Sequence, residues 1–428
     1  MKIIKYPDKS EWLSLQERFE LDVTTLFDTV NQILNDVRIE GDAAVFRYNE
    51  RFDKVTIENL KVTEEEILEA ERLLPDELKL AIRTAQSNIE KFHTSQRFEE
   101  KKVETTPGVT CWQKVMPIEK VGLYIPGGTA PLFSTVLMLA IPARIAGCRD
   151  IVLCSPPNPE GKIHPAILFA ARIAGVNQIY KVGGVQAIAS MAYGTETIPK
   201  VYKIFGPGNQ YVTTAKQLVS LKDVAIDMPA GPSEVEIIAD ETANPEFIAW
   251  DFLSQAEHGA DSQSILLTTS EQLANHVVAS VETQLQLLPR KALTEKSLMN
   301  SRIIVLRNEE EIVLFTNEYA PEHLIINAAN YAEIAGRVVN AGSVFLGAYT
   351  PESAGDYASG TNHTLPTKGY AKMYSGVNLD SFIKKITFQE ITQDGLRELG
   401  PTIEVMAANE QLDAHKNAVT VRLSVLNK

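Results

Sequence analysis

Between residues 121 and 346 the chain alternates short apolar runs with stretches whose apolar residues recur every three to four positions. Residues 121–125, 150–154, 178–182 and 201–205 form a first series, each followed by glycine or proline and then by a helical pattern such as 132–145 or 186–193. A second series runs through 234–238, 264–267, 303–306, 324–326 and 344–346. Strands alternating with helices predict parallel sheets with crossover helices, here as two α/β lobes. Residues 8–96 carry helical spacing instead. Asp22-Val23-Thr24-Thr25 offers a cap before Leu26, Val30, Ile33 and Leu34, and Thr63-Glu64-Glu65-Glu66 has the form of a capping box. The tail from Ser381 reads as helix again, with Thr387-Phe388-Gln389-Glu390 as a second capping box.

Length and composition narrow the function classes. At 428 residues, 44% hydrophobic and 22% charged, the chain can bury a sizeable core in two lobes with appendages. Its formal net charge of −14, with no long Lys/Arg run, argues against a nucleic-acid or anionic-membrane surface. The start, Met1-Lys2-Ile3-Ile4-Lys5-Tyr6-Pro7, lacks the apolar core of a signal peptide, and no apolar run is long enough to span a bilayer. Cys111, Cys148 and Cys154 show no Cys-x-x-Cys spacing, as expected for reduced thiols in a cytoplasmic protein.

Three glycine turns follow strands of the first series: Pro126-Gly127-Gly128-Thr129, Gly183-Gly184-Val185-Gln186 and Gly206-Pro207-Gly208-Asn209. Each brings backbone N–H groups to a helix start, where an anion can sit. None is a true G-x-G-x-x-G, and no acidic residue stands out as a ribose ligand, so the glycines alone fit nucleotide turns or ordinary tight turns.

Polar clusters gather in the second series. An apolar helix over residues 245–258 ends in Gln255 and His258, three apart and on one face, with Gly259 placed to end it in the left-handed conformation. Taken alone, this is a polar helix end with a solvated His. Glu322-His323 pairs a carboxylate with an imidazole suited to proton transfer, provided the chain bends, since neighbours on an extended segment point opposite ways. Residues 351–366 form a long polar loop carrying Asp356 and His363. Glu410 and His415 fall in the helical tail, and His93, His164 and His276 receive no role. Gln255, His258, Asp356 and His415 together offer two nitrogens and two oxygens, a set suited to zinc. His258 and His323 belong at one sheet edge while the Asp356 loop leaves from the other, so the loop must cross back for them to meet. Nine residues span about 30 Å, enough to do so.

The blocks VGLYIPGGTAPLFSTVLMLAIPARIAGC, KIFGPGN, IDMPAGPSE, LSQAEHGADSQ, PEHLI, AGSVFLG, PESAGDYASGTNH and AHKNAVTVR, in this order, resemble the histidinol dehydrogenase family. The resemblance implies two Rossmann-like, incomplete doubly wound α/β lobes with helical N- and C-terminal appendages. The boundaries that follow are a helical region at 1–105, a first lobe on the NAD side at 106–232, a second lobe with the zinc and catalytic residues at 233–375, and a helical arm at 376–428. It further implies four-electron oxidation of L-histidinol to L-histidine through bound L-histidinal, with NAD and one zinc per subunit. In that reading Gln255, His258, Asp356 and His415 bind zinc, and Glu322 and His323 are the proton acceptors. Ser233, Gln255, His258, His323, Asp356, Glu410 and His415 contact the substrate, and Tyr124, Gln186 and Asn209 the NAD. His415 and Glu410 come from the second chain of a homodimer. A zinc hydrolase would share the metal and the Glu base without needing three glycine turns, and a non-catalytic two-lobed binding protein would leave Glu322 and His323 idle. NADH formation separates both from the dehydrogenase.

Overall fold

Strands that are apolar on both faces need cover on both sides, and the two parallel sheets of the chain are covered in that way. The computed structural model describes residues 2–18, 23–127, 130–229 and 231–426. Asp22 of the first expected cap, and Gly128 and Thr129 of the first glycine turn, lie outside the described residues. In chain order the strands are β1 (Ile3–Lys5), β2 (Lys102–Thr106), β3 (Val109–Pro117), β4 (Lys120–Tyr124), β5 (Asp150–Ser155), β6 (Gln178–Lys181) and β7 (Lys203–Phe205). There follow β8 (Ala225–Ile226), β9 (Glu234–Ala239), β10 (Gln263–Thr268), β11 (Arg302–Val305), β12 (His323–Asn327), β13 (Ser343–Leu346) and β14 (Ile383–Ile391).

The first sheet has the order β6-β5-β4-β7-β8 and the second β1-β11-β10-β9-β12-β13, both parallel throughout. Each contains the same doubly wound pattern, in which the order reverses beside the first strand of the lobe, and such a switch point opens a crevice at the carboxyl edge. All six residues of β9 and of β10 are buried. Val235, Ile237 and Leu266 pack on Phe252 and Val277 on one face, and Ile238 and Leu267 on Phe315 and Tyr319 on the other. Val152 and Cys154 of the first sheet share a core with Ile188 and Val212, and with Val30, Ile33 and Val37 from the N-terminal helices. Each such aliphatic side chain contributes about 1.5–3 kcal/mol by leaving water.

Two compact units emerge: residues 1–96 with 119–382, and residues 97–118 with 383–428. The first holds both parallel sheets and the N-terminal helices. Its Thr63 capping box forms as expected, Thr63 Oγ1 accepting from the Glu66 N–H at 3.2 Å and Glu66 Oε2 from the Thr63 N–H at 2.8 Å. The N-terminal region is not wholly helical, because β1 adds an edge strand beside β11. In the second unit β14-β3-β2 is an antiparallel sheet, followed by the helices Gln393–Asn409 and Asp413–Leu426. This corrects the helical reading of the tail from Ser381. Residues 383–391 pair along their whole length with β3, and Thr387-Phe388-Gln389-Glu390 lies inside that strand. The helix cap is Thr392, whose hydroxyl accepts from the Gly395 N–H at 3.1 Å. Residues 109–117, expected in the first lobe, belong to this sheet.

The turn after β7 shows why a glycine stands there. Gly206 has φ +122°, and a Cβ would lie 2.1 Å from the Tyr124 carbonyl oxygen. Its N–H donates to Asp227 Oδ2 at 2.9 Å and its carbonyl accepts from Lys216 Nζ at 2.8 Å, so the turn cannot shift. Gly336 ends its helix with φ −63°, and a Cβ would meet nothing nearer than 3.5 Å. Urea denaturation should therefore show Gly206→Ala destabilised by at least about 1–3 kcal/mol and Gly336→Ala stabilised by about 0.4–1 kcal/mol. Equal effects would refute this account of the turn.

Candidate functional site

The backbone of Glu234, first residue of β9, holds both members of the Glu322-His323 pair. Its N–H donates to Glu322 Oε2 at 2.9 Å, and its carbonyl lies 3.3 Å from His323 Nδ1. The chain enters β12 from Ala320 in the left-handed region (φ 52°), and Glu322 turns back onto β9. That bend resolves the opposite pointing of adjacent extended residues, and both side chains reach one cavity. The Glu234 carboxylate is fixed in turn by Arg18 and by the Tyr319 hydroxyl at 3.0 Å, with the Arg18 guanidinium stacked 3.8 Å from the Tyr319 ring centroid.

Asp356 does cross back. Residues 352–357 form a short helix rather than open loop, and Gly355 lets that helix lie against Phe345 of β13. The helix returns Asp356 Oδ1 to 3.5 Å from His323 Nε2. It also brings Glu352, one turn earlier, to 3.6 Å from His323 Nδ1. The helix Pro245–Ala256 presents Gln255, fully buried, with neither amide atom hydrogen-bonded. His258 follows in the next turn and is exposed. Glu257 caps this helix in the right-handed region, and Gly259 is not left-handed, which corrects the expected stop. One ligand atom each from His258, Glu352 and Asp356 lies within 4.8 Å of the others. Gln255, His258, Glu322, His323, Asp356 and Ser233 line a cavity of about 200 Å³, closed by Gly206 and Pro207 from the first lobe and by His363, with Glu352 buried behind its wall.

Three carboxylates, Glu322, Glu352 and Asp356, surround the His323 ring here, with His258 and His363 acting on Asp356. Burial opposes charge on His323, but Glu352, Glu322 and Asp356 outweigh it and hold its pKa well above the usual 6.5. Burial pushes Glu322 and Glu352 each up to about 8, against the pull of His323. Asp356 is also pushed up by burial, yet its contact with His323 leaves it below the usual carboxylate value. The His323 imidazolium cannot offset three buried carboxyl groups in ionised form, so the cluster favours either protons on Glu322 and Glu352 or an added cation.

A second cavity, of about 1010 Å³, opens at the carboxyl edge of the first sheet. Tyr124, Gln186 and Asn209 all line it. The Tyr124 hydroxyl accepts from the Gly184 N–H at 3.1 Å, and Asn209 Oδ1 caps the helix Gln210–Ser220 at 3.0 and 3.1 Å. Gln186 Oε1 and Ser155 Oγ are buried without a hydrogen-bond partner. The turn after β7 walls both cavities, with Gly206 and Pro207 in the smaller and Asn209 in the larger.

Glu410 and His415 belong to the second compact unit, where Glu410 ends the helix Gln393–Asn409 and His415 stands exposed on Asp413–Leu426. The other histidines have local partners or open solvent. His93 is buried against the Ile89 carbonyl at 2.9 Å, His164 caps the helix Pro165–Ala174 and His276 is exposed. His363 holds the Asp356 carbonyl at 2.9 Å and Thr135 Oγ1 at 3.1 Å, so it belongs to the site wall. Glu352 is the cluster member that sequence reading did not single out. Its signal was its spacing four residues before Asp356, which aligns the two on a helix but not in a loop.

The histidinol dehydrogenase family model matches residues 16–423. A histidinol dehydrogenase of Bacteroides fragilis is 68% identical over 428 residues, covering all of both chains, and one of Escherichia coli K12 is 54% identical over 402 residues, 94% of this chain and 92% of that one. The crystal structure of histidinol dehydrogenase from Elizabethkingia anophelis superposes with a TM-score of 0.98 at 55% identity, covering 100% of this chain and 99% of that one. A match of that length, with the order of both sheets and the clustered Glu322, His323, Gln255, His258 and Asp356 on one wall, means that the chain belongs to the histidinol dehydrogenase family.

Proposed function

We propose that this oxidoreductase converts L-histidinol to L-histidine through bound L-histidinal, the last two steps of histidine biosynthesis. The observation that carries the reading is the meeting of His323 with three carboxylates, two of them lining a small cavity that shares a wall with a larger one. A dication suits the cluster, because it would give the partnerless Gln255 Oε1 a partner and offset the charge of the crowded carboxyl groups when they ionise. Gln255, His258 and Asp356 would hold zinc, with His415 of a second chain. Zinc, when bound, supplies a Lewis acid and a template for the substrate's imidazole and amine. Tyr124, Gln186 and Asn209 would contact NAD, which accepts a hydride in each oxidation. The partnerless Gln186 Oε1 and Ser155 Oγ in that cavity fit a polar cofactor.

The chain's own residues then divide the proton work. With a dication offsetting the carboxylates, His323 would stand as the free imidazole that accepts the substrate hydroxyl proton, and Glu322, Glu352 and Asp356 stabilise the imidazolium that forms. Glu322 takes a proton from the water that attacks the aldehyde. Burial pushes the Glu322 carboxyl up to about 8, so its ionised form, favoured where a dication offsets the charge, is a stronger base than a carboxylate in water. Gln255, Ser233 and the substrate-facing His258 orient the substrate, and the cavity walls keep the aldehyde from free amines. Val405, Met406, Val421 and Val425 of the second unit are 57–66% exposed, which supports a homodimer that covers them and delivers Glu410 and His415 to the partner's site.

Three outcomes follow. His258→Ala should lose bound zinc, measured by atomic absorption, together with turnover, because an open ligand position weakens the site; metal-free protein with full activity would rule zinc out. Glu322→Gln should slow oxidation of supplied histidinal more than of histidinol, and His323→Ala should slow the alcohol step, each by about 10²–10⁴-fold in single-turnover kinetics. Equal losses in both steps would contradict that division. Finally, co-refolding inactive Asp356→Asn and His415→Asn chains should restore roughly a quarter of wild-type activity, since about half the dimers are mixed and each has one intact site. No recovery despite proven exchange, followed with two tags, would put His415 in its own chain's site.

A further inference from the structure

Asp53 is the only acidic residue lining the larger cavity among the described residues. It comes from outside the sheet, at the end of the helical turn Asn49–Asp53. That turn is anchored on the first lobe: Asn49 is fully buried and its Nδ2 donates to the Lys181 carbonyl at the end of β6, 2.9 Å away. Gln186 Nε2 reaches Asn49 Oδ1 at 3.4 Å, which ties the same turn to the cofactor-facing glutamine. Lys54, left-handed at φ 58°, ends the turn immediately after Asp53. The Asp53 Oδ2 atom is buried and has no hydrogen-bond partner. Burial alone pushes its carboxyl up to about 6, with no cation relieving it, so it is ionised at neutral pH and short of donors.

A doubly wound sheet usually places a carboxylate after its second strand, where it accepts from the ribose hydroxyls of a dinucleotide. By sheet order that strand is β5, and here it ends in Ser155 followed by Pro156 and Pro157, with no acid. Those residues and Asp53 line the same cavity. We propose that Asp53 takes over this task from the N-terminal region, accepting hydrogen bonds from the adenosine ribose diol and selecting a dinucleotide with a free 2′-hydroxyl over one with a 2′-phosphate. The inference rests on the reading that the larger cavity binds NAD. Two hydroxyl donors satisfy a carboxylate that lacks them, whereas a 2′-phosphate would set like charges together in a partly dry wall. Arg51 and Lys162 also line the cavity. Lys162 is paired with Glu69 at 2.8 Å, and Arg51 is exposed with its guanidinium 5.2 Å from the Phe52 ring centroid. Neither is built into the wall as a phosphate clamp.

The test is equilibrium titration of the purified metal-loaded protein with NADH, NADPH and the 2′-deoxyadenosine analogue of NADH, followed by nucleotide fluorescence. Wild type should prefer NADH to NADPH by at least about tenfold, and lose about tenfold for the deoxy analogue, the cost of one lost hydrogen bond to a charged group. Asp53→Ala should weaken NADH about tenfold, bind the deoxy analogue no worse than NADH, and narrow the NADH/NADPH ratio. Asp53→Asn should narrow it too. Both variants should be at least as stable as wild type at pH 8. The folded carboxyl titrates above its ordinary 3.8, so ionisation costs the folded state stability above about pH 6, and the variants lack that cost. Unchanged NADH affinity and an unchanged ratio in both variants, or a wild type indifferent to the 2′-hydroxyl, would overturn the role of Asp53 while leaving the NAD site standing. A wild type that binds no dinucleotide would overturn the cofactor reading instead.

Discussion

The smaller cavity is arranged around a crowding of charge at buried groups: the His323 imidazole with the carboxyls of Glu322, Glu352 and Asp356. Exposed, such a cluster would be screened and would specify little. Buried, it fixes which groups carry protons, and it makes the geometry of each support matter. Glu234 supplies that support from its main chain, one polar group to each of Glu322 and His323. Its side chain, clasped by Arg18 and Tyr319, keeps the first residue of β9 from moving. The Glu322-His323 pair is thus held by backbone, which has fewer ways to relax than a second tier of side chains.

The two sheets share one pattern but use opposite edges. In the first, the cavity lies where the doubly wound order predicts, beyond the carboxyl ends of β4 and β7. In the second, Glu322 and His323 sit at the amino end of β12, and Asp356 must be carried back past β13 to reach them. The arrangement brings the carboxyl edge of one lobe to the amino edge of the other, with the Gly206 turn as their common wall. A turn in that position has to be narrow and rigid at once. Its glycine permits the first property, and the buried Lys216 and Asp227 enforce the second.

How much of this was legible depended on range. The strands of both lobes, the helix before Gln255 and the Thr63 cap were readable because their signals lie within a few residues. The motif blocks carried the family, and with it the candidate residues of both cavities. Local pattern failed where pairing partners are distant. Residues 383–391 carry a helix-cap signature, yet they form β14 because β3 offers a full-length edge, which no window of sequence can show. Glu352 was passed over because a loop was assumed where a short helix forms. Asp53 gave no sign at all, since its meaning depends on where an N-terminal helix lands on a sheet that begins about seventy residues later.

The pairing of β3 with β14 has a consequence for how the molecule is made. On the ribosome, the β2–β3 hairpin emerges early, but residues 118–382 must be synthesised before its other partner exists. At 5–20 residues per second that wait is on the order of tens of seconds. For that interval β3 presents an open edge bearing Trp112 and Val115, a surface competent to pair with any extended chain nearby. The nascent protein then has both parallel sheets within its grasp before its last sheet can close. During that wait, neighbouring nascent copies on one polysome carry the same open β3 edge, so the order of synthesis itself sets when this strand is open to mispairing.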